Sequence, residues 1–114
     1  VMRAVCEALA PVAQAERPLV VSIAAGITAA QLQRWLGGGV AVVRAMPNTP
    51  ARVGQGITAL SADAPPDARS CAQAETLFRP AGRVLWVPEE RMDAVTAIAG
   101  SGPAYVFLFL EALQ

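Results

Sequence analysis

The apolar residues recur at two different spacings, and each change of spacing marks an element. Met2, Val5, Cys6 and Leu9 share one face of a helix from residue 2 to about 10, which Pro11 and Pro18 should limit. Residues 19–24 form an apolar run with valines and an isoleucine, which suits a strand buried on both faces of a parallel sheet. Thr28 and Gln31 then have the spacing of a capping box, and Ile27 can staple onto Leu32. Gly37 is placed to end that helix in a left-handed turn. Residues 40–46 read as the next strand. Two strands joined by a helix in so short a span make a right-handed βαβ crossover the expectation.

The pattern then alters. Residues 56–62 read as a strand, with Ile57 and Leu60 apolar. A helix should begin at Asp63 or a neighbour, with Pro65 and Pro66 in its first turn and Cys71, Ala74 and Phe78 on its inner face. Gly82 reads as its stop, and residues 84–87 as a short strand. Pro88 and the acids Glu89 and Glu90 open another helix, with the acids where the helix dipole favours them. Met92, Val95 and Ile98 would form its apolar face. The segment Ala99-Gly100-Ser101-Gly102-Pro103 reads as a glycine-rich break before a last helix. From Tyr105 to Leu113 only Glu111 is charged, so that helix should be buried, in a further domain or in a dimer interface.

Composition narrows the chemistry. The chain has 114 residues, enough for one domain, and its 54% hydrophobic content supplies a core. Nine basic residues, all arginine, balance nine acids, and no basic stripe suggests nucleic acid as a partner. Lysine and histidine are both missing, which removes a Schiff-base lysine, a histidine base and the commonest metal ligand. Cys6 and Cys71 are far apart and read as buried reduced thiols, with no metal-binding spacing. No metal is expected. No uninterrupted apolar run reaches the roughly 18 residues of a membrane span. What remains is chemistry carried by a cofactor, by carboxylates, or by Tyr105 and the hydroxyl residues.

Two loops fall where an open α/β sheet binds ligands, beyond the carboxyl ends of its strands. Ala24-Ala25-Gly26 would let a flat ring lie close to the backbone. Met46-Pro47-Asn48-Thr49-Pro50 is stiffened by its prolines, and Asn48 offers donor and acceptor together. From spacing alone, an ordinary strand-to-helix turn and a proline-rich reversal are the better descriptions. The Gly100–Pro103 segment likewise suits either a corner packed with small residues or a helix start that attracts a carboxylate.

Three stretches together resemble one family. Residues 20–26, residues 44–50 and residues 93–105, the last with Ser101-Gly102-Pro103, are similar in content and order to motifs of pyrroline-5-carboxylate reductase. Ala99 departs mildly, standing where that family usually has the first serine of Ser-Gly-Ser-Gly-Pro. The resemblance implies an α/β fold: the C-terminal part of a Rossmann-type sheet with flanking helices (residues 1–99), ending in the first helix of an all-helical dimerisation domain (residues 100–114). The family's Gly-x-Gly-x-x-Gly turn is not in this sequence, so the chain is expected to be the middle of a longer enzyme. The implied reaction is reduction of pyrroline-5-carboxylate to proline with NADPH or NADH, in a cytoplasmic homo-oligomer without nucleic-acid or membrane partners.

Carried over residue by residue, Ile23, Ala24, Ala25, Gly26 and Asn48 match cofactor-binding positions. Glu89, Gly100, Ser101 and Gly102 match the substrate side, with Glu90 as the neighbour onto which the glutamate match could slip. No residue is assigned a catalytic role. A β-hydroxyacid dehydrogenase would share such a sheet but needs a lysine that this chain lacks. A non-catalytic assembly module is the other alternative.

Overall fold

The computed structural model describes residues 1–64 and 66–114. The sheet has four strands in the order β1 (Val20–Ser22), β2 (Val42–Met46), β3 (Gly56–Ser61) and β4 (Gly82–Trp86). β1 and β2 pair in parallel, Val20 against Val42 and Ser22 against Arg44. β2 and β3 are antiparallel, and β3 and β4 parallel. The loops after β1 and β2 therefore leave the sheet at the same edge, as the crossover expectation required.

Alternation along β2 divides the core between the two faces of the sheet. Val42, Arg44 and Met46 share one face. Val42 packs with Cys6 and Ala13 of α1 (Met2–Glu16) and with Ala29 and Leu32 of α2 (Ala29–Trp35). Met46 packs with Met92 and Ala59. On the other face Val43 and Ala45 pack with Leu60, and with Ala74 and Phe78 of α3 (Ala68–Phe78).

The capping box is present: Thr28 Oγ1 accepts from Gln31 N–H at 3.2 Å, and Gln31 Oε1 accepts from Thr28 N–H at 2.9 Å. Gly37, at φ 90°, makes the left-handed turn after α2. Helix α1 runs through Pro11 and stops only at Arg17, whose left-handed backbone (φ 50°) precedes Pro18. Its buried positions are Cys6 and Ala13, whereas Val5 and Leu9 are exposed. Burial raises the pKa of the Cys6 thiol, with a further push from Glu7. Cys71 is only half-buried.

Helix α3 begins later than its prolines suggested. Asp67 caps it, accepting from Ser70 N–H at 2.7 Å, a bond to the charged form that lowers the carboxyl pKa. Pro66 lies before that cap, and Pro65 lies outside the described residues. Gly82 is not the helix stop. A short 3₁₀ turn (Arg79–Ala81) intervenes, and Gly82 is the first residue of β4, at φ 137° and opposite Gly56. A Cβ on Gly82 would fall on the Gly56 backbone. Gly82→Ala should therefore destabilise the protein by about 1–3 kcal/mol in chemical denaturation. An unchanged midpoint would show that β3 and β4 can separate there at no cost.

After β4 a 3₁₀ turn (Glu89–Arg91) leads into α4 (Met92–Val95), a π-helical turn (Thr96–Gly100) and α5 (Gly102–Ala112). Met92 is fully buried, but Ile98 is 76% exposed, so the apolar face ends one turn sooner than its spacing implied. Residues of α5 from Tyr105 to Leu110 are all more than half exposed. The long axis of the molecule is 54 Å against 29 and 23 Å for the others.

The expected glycine-rich break is absent. Neither Gly100 nor Gly102 has a positive φ, and Glu89–Ala112 is one helical stretch of 24 residues. By length and composition it could cross a membrane, which corrects the expectation drawn from uninterrupted apolar runs. Its first turns, however, are fixed to the sheet through Glu89 and Met92. The 11 residues of α5 reach only ~16 Å at ~1.5 Å each, about half the ~30 Å hydrocarbon core.

Candidate functional site

Three segments gather around the carboxyl ends of β1 and β2. The first is the exit of β1. Ser22 Oγ accepts from Ala24 N–H at 3.2 Å, and Gly26 turns at φ 73° with nothing within 4 Å of where a Cβ would stand. Ile23, Ala25 and Gly26 are exposed, and Ala24 is half-buried. The result is an open shelf of small side chains, with Ile23 at its margin.

The second segment is the exit of β2. Asn48 precedes a 3₁₀ turn (Thr49–Val53), and its Oδ1 accepts from Ile57 N–H at 2.9 Å. That bond ties the loop to the start of β3. Among the described residues the Asn48 Nδ2 group donates to no protein atom, so the amide presents donors to the edge.

The third segment is the π-helical turn. Ser101 N–H donates to Thr96 O at 2.9 Å, five residues back. A Cβ on Gly100 would lie 3.5 Å from Met46 Sδ, so the turn rests on the residue that ends β2. π turns cluster at functional sites. They also widen the helix, here at Ala99, whose carbonyl the Pro103 ring would otherwise meet four residues later. The N–H groups of Ser101, Ala104 and Tyr105 are all bonded within the helix. The idea of a free helix start for a carboxylate at Gly102–Tyr105 is thereby corrected: the helix does not start there.

Gly102 has open space around its Cα. Its value in the chain is not conformational, so Gly102→Ala should leave stability unchanged or raise it by up to ~1 kcal/mol through helix propensity. Lost turnover in a normally folded Gly102→Ala full-length protein would then report a ligand at that surface. A drop in melting temperature would instead show a packing role.

Glu89 is placed differently from the expectation of a substrate ligand. Its Oε1 accepts from Arg44 Nη1 at 2.6 Å and from Ala29 N–H at 3.3 Å, and its Oε2 accepts from Ser61 Oγ at 2.9 Å. The carboxylate accepts from three protein donors and its side chain stays 24% exposed, while Glu90 is exposed. Arg44 and Ser61, which the sequence reading left as ordinary strand positions, are therefore part of the arrangement. A signal was present: Arg44 is the one charge in the apolar run 40–46, and a charge inside a buried strand needs a partner.

Comparison with known proteins shows what the chain is similar to. The family model for pyrroline-5-carboxylate reductase dimerisation matches residues 89–114. A pyrroline-5-carboxylate reductase of Pseudomonas aeruginosa is 52% identical over 113 residues, covering 98% of this chain and 41% of the relative. A pyrroline-5-carboxylate reductase structure from Coxiella burnetii superposes with a TM-score of 0.88 at 42% identity, over 99% of this chain and 42% of the other. Over almost its whole length the chain is similar to part of the pyrroline-5-carboxylate reductases. It spans about two fifths of the length of the curated pyrroline-5-carboxylate reductases that it matches. A third pyrroline carboxylate reductase, from Plasmodium falciparum, was solved with NADP bound; it superposes with a TM-score of 0.86 at 32% identity, over 97% of this chain and 43% of the other.

Proposed function

We propose that the protein containing this chain reduces pyrroline-5-carboxylate to proline with NADPH or NADH. The observation that carries the reading is the meeting of three segments, 23–26, 46–48 and 100–102, at one sheet edge in a chain similar to part of these reductases. Residues 1–99 serve as the C-terminal part of the dinucleotide-binding domain, and residues 100–114 begin the helical domain.

A reduced nicotinamide, when bound, supplies the hydride for the C=N carbon. The open shelf of Ala24, Ala25 and Gly26 fits a flat ring, and the unused Asn48 amide donors fit a carboxamide oxygen. Ile23 would close the apolar side of that shelf. Gly100, Ser101 and Gly102 border the substrate, with the Ser101 hydroxyl as their polar group. The chain orients the reactants, and no residue of it is assigned the role of acid or base. Orientation of this kind can lower a barrier by up to ~7–11 kcal/mol. The protein is a cytoplasmic homo-oligomer joined through α5, whose apolar surface coincides with the residues matched by the dimerisation model.

The test uses the full-length protein, with cofactor oxidation followed by absorbance in the presence of pyrroline-5-carboxylate. Ala25→Phe fills the shelf from an exposed position, so folding should be unaffected while KM for the cofactor rises about tenfold to a hundredfold. No cofactor oxidation by the unmodified protein, or an unchanged KM in the variant, would refute the assignment.

A further inference from the structure

We infer that Glu89 is a positioning residue, which couples the helix leading to α5 to the cofactor edge of the sheet. The inference rests on the reading of residues 24–26 as a cofactor shelf.

One carboxylate holds groups from three elements: Arg44 of β2, Ser61 of β3 and the first N–H of α2. The α2 contact is the informative one. Ala29 follows Gly26 by three residues, and Thr28 and Gln31 cap one another, so Glu89 takes a donor that the capping box leaves free. It thereby fixes where the shelf enters the helix.

The pair is poorly built for stability alone. The Arg44 side chain is 3% exposed, and its Nη2 has no hydrogen-bond partner among the described residues. Buried ion pairs of that kind are often no better than apolar residues of the same volume. A geometric role explains what an energetic one does not. Glu89 is also the first residue of the helical stretch that carries Gly100 to Met46 and then continues as α5. Packing forces on α5 reach the shelf through this residue.

The experiment compares full-length variants by melting temperature, by cofactor KM and kcat, and by hydrogen exchange of amides 24–31 in the cofactor-free protein. Glu89→Gln keeps an acceptor for Ala29 but leaves Arg44 without its counter-charge. Its melting temperature should fall while KM stays near that of the unmodified protein. The double variant Arg44→Met with Glu89→Met removes both charges and the acceptor. Its melting temperature should recover, KM should rise about tenfold, kcat should change little, and amides 27–31 should exchange faster.

If KM instead follows melting temperature through both variants, or the double variant has an unchanged KM, the positioning role is overturned. Ala25→Phe separates the two readings. A raised KM there beside an unchanged double variant sinks the positioning role alone, and no effect in either sinks the cofactor shelf with it. Should the double variant fail to fold, Ala29→Pro carries the comparison. Thr28 is already extended (φ −74°, ψ 156°), as a residue before proline must be; proline removes the N–H given to Glu89, and the melting temperature reads the added cost of its ring carbons at a buried position. A raised KM in Ala29→Pro supports the role, and an unchanged one overturns it.

Discussion

Glu89→Ala should cost the full-length protein about 3–5 kcal/mol of stability, the largest loss expected from any single side chain discussed above. The reason is not the strength of the bond removed. Arg44 would remain charged, almost fully enclosed between β1 and β3, with neither guanidinium nitrogen Nη1 nor Nη2 holding a partner. Ser61 Oγ and Ala29 N–H would also lose their acceptor. Against a typical total of 5–15 kcal/mol, such a loss removes a large share of the margin. Denaturant unfolding with both melting and midpoint recorded is the direct check. A decrease below about 1 kcal/mol would mean that water reaches Arg44, and that the pair is effectively a surface one.

The second large effect concerns association. Phe107 and Leu110 are 56% and 52% exposed on a helix whose only charge between Tyr105 and Leu113 is Glu111. A helix this apolar on all sides needs cover. Phe107→Glu combined with Leu110→Glu should convert the full-length protein to monomer. Two apolar anchors at about 2 kcal/mol each correspond to roughly a thousandfold weaker association. Light scattering across a concentration series reads this directly. The sheet should survive, because neither side chain belongs to its core clusters. An unchanged mass would show that other surfaces hold the subunits together.

The features legible in the sequence were those set by local chemistry. Thr28 and Gln31 announce a helix start because each satisfies the other's backbone. The runs 19–24 and 40–46 announce parallel strands because nothing polar interrupts them except residues that later prove to be bonded, but only β2 is buried throughout; β1, at the sheet's margin, is half-buried. The shelf and the Asn48 loop could be placed because both follow such strands.

The errors share a different cause. Glycine permits a positive φ without requiring one, so Gly100 and Gly102 suggested a break where the helix continues. Pro11 lies inside α1 and Pro103 inside the long helical stretch, each tolerated by its surroundings rather than forbidden by them. Glu89 at the head of a helix has an ordinary local explanation, and its partners come from residues 28 to 60 positions away (Arg44 at 45, Ser61 at 28 and Ala29 at 60). No reading of neighbours along the chain finds such a contact. The lone arginine in a buried strand signals only that some partner must exist.

The widened turn at Thr96–Gly100 has a consequence for how such assemblies diversify. It holds one residue more than a regular turn, and each residue of an α-helix advances about 100° around the axis. Deleting that residue would rotate all of α5 by roughly this amount while Met92 stayed seated on Met46. In the assembly proposed through α5, the angle at which two subunits meet is thus adjustable by a single codon, without any change in the shelf that the rest of the chain builds.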